Sequence, residues 1–300
     1  MTTLALTGAT GFVGQTLLDQ AIAAGHQVRA LTRRPQPDRD GVTWIDGALD
    51  RPDSLAALVD GAGAVVHVAG VVSAPTRAGF VAGNIDGTRA MLAATERAGI
   101  RRFVHVSSLS AREPALSLYG WSKAEAEALV TASPLAWSIV RPSGVYGPGD
   151  MEMRDLFRAA RLGIALLPPP GKVALVAVAD LAQLLLTLAT REVPPAIYEV
   201  DDGRTLTHAA LAQAIGRAVG RRRVRALHLP AAVLRLGARL DRALRGDGAK
   251  LTADRVGYLV HDDWTARAPL RPPADLWTPA TATDDGLAAT ARWYRANGLL

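Results

Sequence analysis

The sequence predicts an α/β protein built on a doubly wound parallel sheet, followed by a smaller, split C-terminal α+β region. Three observations carry that expectation. Short apolar, β-branched runs alternate with stretches of helical apolar period from residue 3 to residue 141, the pattern of parallel strands joined by right-handed crossovers. Residues 64–70 (AVVHVAG) form a nearly unbroken apolar run, as a strand covered on both faces requires. A glycine-spaced turn joins the first strand to the first helix without a gap.

Residues 3–7 (TLALT) are the first strand. They run into Gly8-Ala9-Thr10-Gly11-Phe12-Val13-Gly14, after which Val13, Leu17, Leu18, Ala21 and Ile22 recur at helical spacing. Gly8 permits a sharp turn, Gly11 lets a ligand approach the backbone, and Gly14 lets the helix pack on the strand. The helix start offers unpaired N–H groups and a positive dipole end to a pyrophosphate. A plain structural turn is the competing reading; the position between a first strand and a helix favours a dinucleotide site.

That helix ends at Gly25. Residues 27–32 are the second strand, followed at once by Arg33 and Arg34, with no acidic residue from 29 to 37. An acid at this place suits the ribose 2′-hydroxyl of NAD, whereas arginine suits the 2′-phosphate of NADP. The cofactor expected is therefore NADP, with NAD as the alternative if the two arginines only solvate the surface. Residues 42–45 are the third strand, 54–59 begin a helix, and 64–70 are the fourth strand. Asn84 to Thr88 lie near the start of a helix ending at Gly99. Residues 101–107 and 135–140 are the fifth and sixth strands.

Tyr119-Gly120-Trp121-Ser122-Lys123 opens a helix between the fifth and sixth strands, and residues four apart share one helical face. A phenol with a pKa of about 10 is a poor base at neutral pH. A nearby ammonium favours its phenolate. Tyr119 paired with Lys123 can then exchange a proton with a substrate oxygen while hydride moves to or from a nicotinamide.

Thr7-Gly8-Ala9-Thr10-Gly11-Phe12-Val13-Gly14 and Tyr119-x-x-x-Lys123 together resemble the extended and atypical short-chain dehydrogenase/reductase superfamily, whose members include NAD-dependent epimerases and dehydratases. Arg141-Pro142-Ser143-Gly144-Val145-Tyr146-Gly147-Pro148 resembles that family's stretch after the sixth strand, and Asn84-x-x-Gly87-Thr88 its helix start. The resemblance implies a Rossmann sheet and a catalytic set of Ser108, Tyr119 and Lys123. It implies cofactor contacts from Gly8, Thr10, Gly11, Phe12, Val13, Arg33, Arg34, Leu49, Val68, Ala69, Gly70, Ser107, Tyr119, Lys123 and Pro142. By family position Ser108 holds the substrate oxygen and Ser107 lies nearer the cofactor. Asn84 serves either the active site or helix packing, and His67 reads as a packed strand residue. Two departures stand out: Ala48 replaces the Asp of a Gly-Asp-Leu stretch, leaving Asp46 or Asp50 near the adenine, and Gly144 replaces the Asn common in nucleotide-sugar enzymes.

Residues 1–150 are read as the cofactor-binding core and 151–300 mainly as a substrate-binding region, with about 173–200 returning to the sheet. Residues 196–200 form a strand, Thr207 caps a helix through Val219, Pro230 begins another, and Trp293 and Tyr294 sit on a last amphipathic helix. The apolar, proline-rich stretch 162–170 either lines a greasy pocket or is a rigid connection.

Composition narrows the functions. The chain has 300 residues, 49% of them hydrophobic, enough for one large α/β domain with an appendage. It has no cysteine, which excludes disulfides and thiolate chemistry and fits a reducing, cytoplasmic setting. Its N-terminus reads as the first strand, not as a signal sequence. The six histidines lack ligand spacing, so no metal is expected. No run of about eighteen uncharged apolar residues exists, so no membrane span is expected. The net charge of +6 draws much of its excess from residues 217–245. That segment is either a solvated helix face or an anionic-surface patch, and no nucleic-acid-binding signature supports a nucleic-acid partner.

The expected partner is a small-molecule substrate, with a homodimer as the family's habit. The function expected is hydride transfer between NADP(H) and an alcohol or ketone of apolar or mixed character. The alternatives are a nucleotide-sugar epimerase or dehydratase that retains its NAD(P), and a non-catalytic, NADPH-holding accessory protein of the kind found with respiratory complex I.

Overall fold

A computed structural model describes residues 1–249 and 251–300. In chain order the elements are β1 (Thr3–Thr7), α1 (Phe12–Ala23), β2 (Gln27–Thr32), β3 (Val42–Asp46), α2 (Pro52–Val59), β4 (Ala64–His67), α3 (Arg77–Phe80), α4 (Gly87–Arg97), β5 (Arg102–Val106), α5 (Leu118–Thr131) and β6 (Ala136–Pro142). There follow β7 (Gly144–Tyr146), α6 (Arg154–Leu162), β8 (Ile164–Leu167), β9 (Lys172–Val173), β10 (Leu175–Ala177), α7 (Val178–Thr190) and β11 (Ala196–Val200). The last are β12 (Leu206–Thr207), α8 (His208–Ala218), β13 (Arg225–His228), α9 (Ala231–Arg245), α10 (Ala253–Leu259), β14 (Asp263–Trp264) and α11 (Thr283–Ala296).

Two compact units result. The first comprises Met1–Pro142, Val178–Val200 and Pro269–Trp277. Its seven strands are parallel, in the order β11-β6-β5-β4-β1-β2-β3. The order reverses between β1 and β4, which is where a doubly wound sheet opens a crevice at its carboxyl edge. Val65, Phe103 and Ile139 on adjacent strands are buried in one cluster with Leu55, Leu58 and Met91 from the covering helices. The strands carry apolar side chains on both faces because helices cover both.

The second unit comprises Ser143–Ala177, Asp201–Ala268 and Thr278–Leu300. It holds three small sheets, β10-β7, β12-β9-β14 and β13-β8. Its core joins Tyr146, Phe157, Ile215, Leu287 and Tyr294. Tyr294 is buried, edge-on to Phe157 at 5.1 Å between ring centroids, and Trp293 beside it is half-buried. Thr207 accepts a hydrogen bond from the backbone N–H of Ala210 and caps α8.

One strand expectation needs correction. The fourth strand stops at His67 rather than Gly70, because the Ala69 amide leaves the ladder and donates to the Thr7 hydroxyl at 3.2 Å. The return to the main sheet, expected over about 173–200, spans Val178–Val200. The Ala174 amide donates to Trp264, β10 pairs with β7, and the return begins with α7 at Val178.

Candidate active site

The sequence-predicted residues of the first unit converge on the carboxyl ends of its strands. Gly8 follows β1 with φ of +75°, a conformation that glycine adopts without a Cβ penalty. A Cβ there would lie 2.8 Å from the Ala69 nitrogen, so the turns after β1 and β4 touch backbone to backbone. A Cβ at Gly14 would lie 2.0 Å from the Gly8 carbonyl oxygen, so α1 seats directly on the turn. Gly11 is the N-cap of α1, with no side-chain cap and no acidic residue in the first turn. Thr10 is exposed and Phe12 and Val13 half-buried beside it. The donors and dipole of that helix end are thus presented to an anion, and the cradle fits a pyrophosphate.

Arg33 and Arg34 follow β2 and are both exposed. The Thr32 hydroxyl donates to the Arg34 carbonyl at 2.7 Å and shapes this turn. Leu49, after β3, is half-buried and packs toward α4, with its Cδ1 2.7 Å from where a Gly87 Cβ would stand. Ala48 is tied by Ser54, whose hydroxyl donates to its carbonyl at 3.1 Å. Asp46 pairs with Arg51 at 3.6 Å, and Asp50 is exposed.

Beyond β4, Val68 and Ala69 are half-buried and Gly70 is exposed. A Cβ on Gly70 would lie 2.8 Å from Asn84 Oδ1 and 3.7 Å from Lys123 Nζ. Asn84 is buried in a π-helical turn spanning Val81–Asp86. Its Oδ1 accepts from the Val71 amide at 2.7 Å, and its Nδ2 donates to the Val71 carbonyl at 2.9 Å and the Ser122 hydroxyl at 2.8 Å. One amide therefore locks the chain after β4 to the helix that carries Tyr119 and Lys123.

Ser117 caps that helix, accepting from the Gly120 amide at 2.9 Å. A Cβ on Gly120 would lie 2.5 Å from the Ser110 carbonyl oxygen, which presses α5 against the turn after β5. Tyr119 is half-buried with its ring 6.4 Å from that of Phe80. Ser108 is half-buried and accepts from the Ser110 amide at 3.1 Å. Lys123 is buried and donates to the Val106 carbonyl at 2.7 Å. Burial lowers its pKa to about 8, opposed by the negative charge of Glu127 one turn on. Pro142 is buried at the end of β6.

Ser107 points elsewhere than its neighbour. Its hydroxyl donates to Glu127 Oε1 at 2.5 Å. Glu127 also takes a forked pair from Arg141, Nε to Oε1 at 2.9 Å and Nη2 to Oε2 at 2.5 Å. Arg141 reaches Glu199 at 3.5 Å, and Glu199 reaches Arg112 at 3.4 Å. This buried charge network under Lys123 is the part of the site that sequence reasoning missed. Its one local sign is Glu127 standing four residues after Lys123 on the same helix face.

His67 is a packed strand residue, as expected. Its Nδ1 lies 2.7 Å from the Thr7 hydroxyl and its Nε2 3.2 Å from the Thr88 hydroxyl. Burial first, then the Lys123 charge, lowers its pKa to about 3, so it stays neutral. His105 stacks on it at 5.5 Å between centroids. Both His105 ring nitrogens are buried with no hydrogen-bond partner among the described residues, and burial holds its pKa well below the ordinary value.

Known proteins resemble this arrangement. A family described as NAD(P)H-binding matches residues 8–191. The ceramide reductase of Caulobacter vibrioides (strain NA1000 / CB15N) is 35% identical over 309 aligned residues, covering 99% of this chain and 96% of that protein. The 2-alkyl-3-oxoalkanoate reductase of Stenotrophomonas maltophilia (strain K279a) is 30% identical over 322, covering 94% and 96%. Among solved structures, MoeE5 in complex with UDP-glucose and NAD superposes with a TM-score of 0.76 at 21% identity, covering 99% of each chain. At that identity the likeness is one of fold.

Proposed function

We propose a function from one premise: this chain belongs to the NAD(P)H-binding family within the extended short-chain dehydrogenase/reductase superfamily, and it is an NAD(P)-dependent oxidoreductase or epimerase of that group. Our reading is that it reduces, reversibly, a ketone on a long-chain, amphipathic substrate with NADPH. The observation that carries it is the buried Lys123 ammonium, one helical turn from Tyr119 and beside Gly70 in the turn after β4.

Gly8, Thr10, Gly11, Phe12 and Val13 would hold the pyrophosphate, Arg33 and Arg34 the 2′-phosphate, and Leu49, Val68, Ala69, Gly70, Ser107 and Pro142 the rest of the dinucleotide. Bound NADPH supplies the hydride that goes to the carbonyl carbon. Ser108 donates a hydrogen bond to the carbonyl oxygen and fixes it. The Tyr119 phenol gives its proton to the same oxygen as negative charge builds there, yielding the alcohol. The Lys123 charge steadies the phenolate left behind, and the same groups run in reverse for oxidation.

The names of the two full-length relatives support the substrate class, since one is a reductase of an alkyl-branched 3-oxo acid and the other acts in ceramide chemistry. Gly144 supports it too. A side chain there would meet Leu175 Cδ2 at 2.8 Å, so the asparagine that would hold a sugar nucleotide does not fit without moving Leu175. The test is NADPH consumption with a long-chain 3-oxo ester or amide, run beside UDP-glucose. Oxidation of NADPH with the lipid ketone alone is expected. Conversion of UDP-glucose by protein with tightly retained nucleotide, and no net NADPH consumption, would overturn the reading.

A further inference from the structure

Among the described residues twelve large apolar side chains are exposed, and eight of them lie between Leu162 and Leu244 in the second unit. Four are on α9: Val233 (48% exposed), Leu236 (56%), Leu240 (56%) and Leu244 (85%). At about 100° per residue these fall within roughly 80° of one another, a single stripe along the helix. The opposite face is the packed one. Ala238 is buried, Leu234 and Gly237 are half-buried, and Asp241 accepts from the Leu251 amide at 2.8 Å. Between the two faces run Arg235, Arg239 and Arg242, all exposed. Asp241 is the only acid on this helix, and it pairs with Arg245 at 3.2 Å.

The strands before α9 continue the pattern. Ile164 and Leu166 point outward from β8, Ala165 and Leu167 inward. Arg225 and Leu227 of β13 pair with Ile164 and Leu166 in register, so all four share the outer face. An open depression of about 670 Å³ there is lined in part by Ile164, Arg223 and Arg225.

We propose that the leucine stripe of α9, with its flanking arginines, docks on the surface of an anionic lipid bilayer. A leucine stripe flanked by arginines is the chemistry of a helix lying in the headgroup plane. Water gains nothing from a stripe this apolar. Arg235 and Arg239, exposed beside the leucine stripe, complement phosphate headgroups, whereas a buried protein interface would leave those charges desolvated. No helix among the described residues is long and apolar enough to cross a membrane, so the contact is peripheral. This inference rests on the surface alone and stands or falls apart from the substrate reading.

The test is co-sedimentation of the full chain with phosphatidylcholine–phosphatidylglycerol vesicles and with pure phosphatidylcholine vesicles. Preferential binding to the anionic vesicles, weakened by salt, is expected. Arg235→Gln with Arg239→Gln should weaken partitioning to anionic vesicles by about fivefold per arginine. Leu236→Ser with Leu240→Ser should lower it about tenfold or more on either vesicle. Both pairs should leave the thermal midpoint and NADPH affinity unchanged. Equal recovery in the supernatant with both vesicles overturns the proposal, as does wild-type binding by either variant. A vesicle-independent dimer that the leucine variant dissolves overturns it in favour of self-association.

Discussion

The Lys123 ammonium is buried and donates a 2.7 Å hydrogen bond to the carbonyl of Val106, the last residue of β5. A helix and a strand end are joined there through one charged atom. The groups facing that atom are unequal: Glu127 is anionic, whereas His67 and His105 are held neutral by burial. Burial outweighs Glu127, and the folded pKa stands near 8 against 10.5 for the free side chain.

That displacement has a measurable sign. Above about pH 8 the folded chain releases the proton while the unfolded chain holds it up to about 10.5, so stability from this group rises with pH across that window. At about 1.4 kcal/mol per unit, wild type should gain roughly 2 kcal/mol relative to Lys123→Met between pH 8 and pH 10. Denaturant unfolding at the two pH values measures it, and parallel curves would mean that Lys123 is not depressed.

His105 gives a slope of the same sign in a lower pH window. Its folded pKa is pushed down by burial, then by Lys123 and His67, so its stabilising contribution is lost as pH falls through the unfolded value near 6.5. His105→Phe removes that proton site and two unpartnered ring nitrogens. The variant should gain about 2 kcal/mol on wild type at pH 5 compared with the same difference at pH 8. A difference that does not change with pH would show that His105 takes no proton on unfolding.

Tyr119→Phe keeps the ring against Phe80 and removes the proton donor. Turnover should fall by a factor of about a thousand, within the usual range for proton-transfer groups, with NADPH affinity nearly unchanged. Loss of turnover and of cofactor binding together would make Tyr119 a binding group, contrary to its proposed role.

Arg33→Ala should weaken NADPH by about tenfold or more while leaving NADH little changed, because one charge-assisted phosphate contact is worth roughly 1.5–3 kcal/mol. Thermal-shift titration with both nucleotides reads it. Equal effects would place Arg33 outside the cofactor site.

The glycines of the first turn separate folding from binding. Gly14→Ala sets a Cβ 2.0 Å from the Gly8 carbonyl and should destabilise the chain by several kcal/mol. Gly11→Ala meets that same oxygen at 3.3 Å, a contact a small shift relieves. It should keep most of the stability and lose cofactor affinity. Equal melting points for the two variants would contradict the seating of α1 on the turn.

Much of this was legible in the chain because the signals are local. β1, the glycine turn and α1 are contiguous in sequence, and β2, β3 and β11 appear within a residue of where their apolar runs place them. Tyr119 and Lys123 share a helix face through spacing alone. The charge network under Lys123 was not legible. Arg112 and Glu199 are 87 residues apart, and nothing in either segment names the other. The end of β4 was missed for a similar reason, since it is set by the side chain of Thr7, 62 residues away.

The sequence by itself determined the parallel sheet, the dinucleotide turn and the Tyr–Lys pair, because apolar period, glycine spacing and one helical turn are properties of neighbours. Tertiary structure decided the protonation of Lys123, the neutrality of His67 and His105, the turning of Ser107 to Glu127, and which face of α9 is left to water. Each depends on desolvation by segments distant along the chain, and burial is a sum over neighbours in space that no local pattern contains.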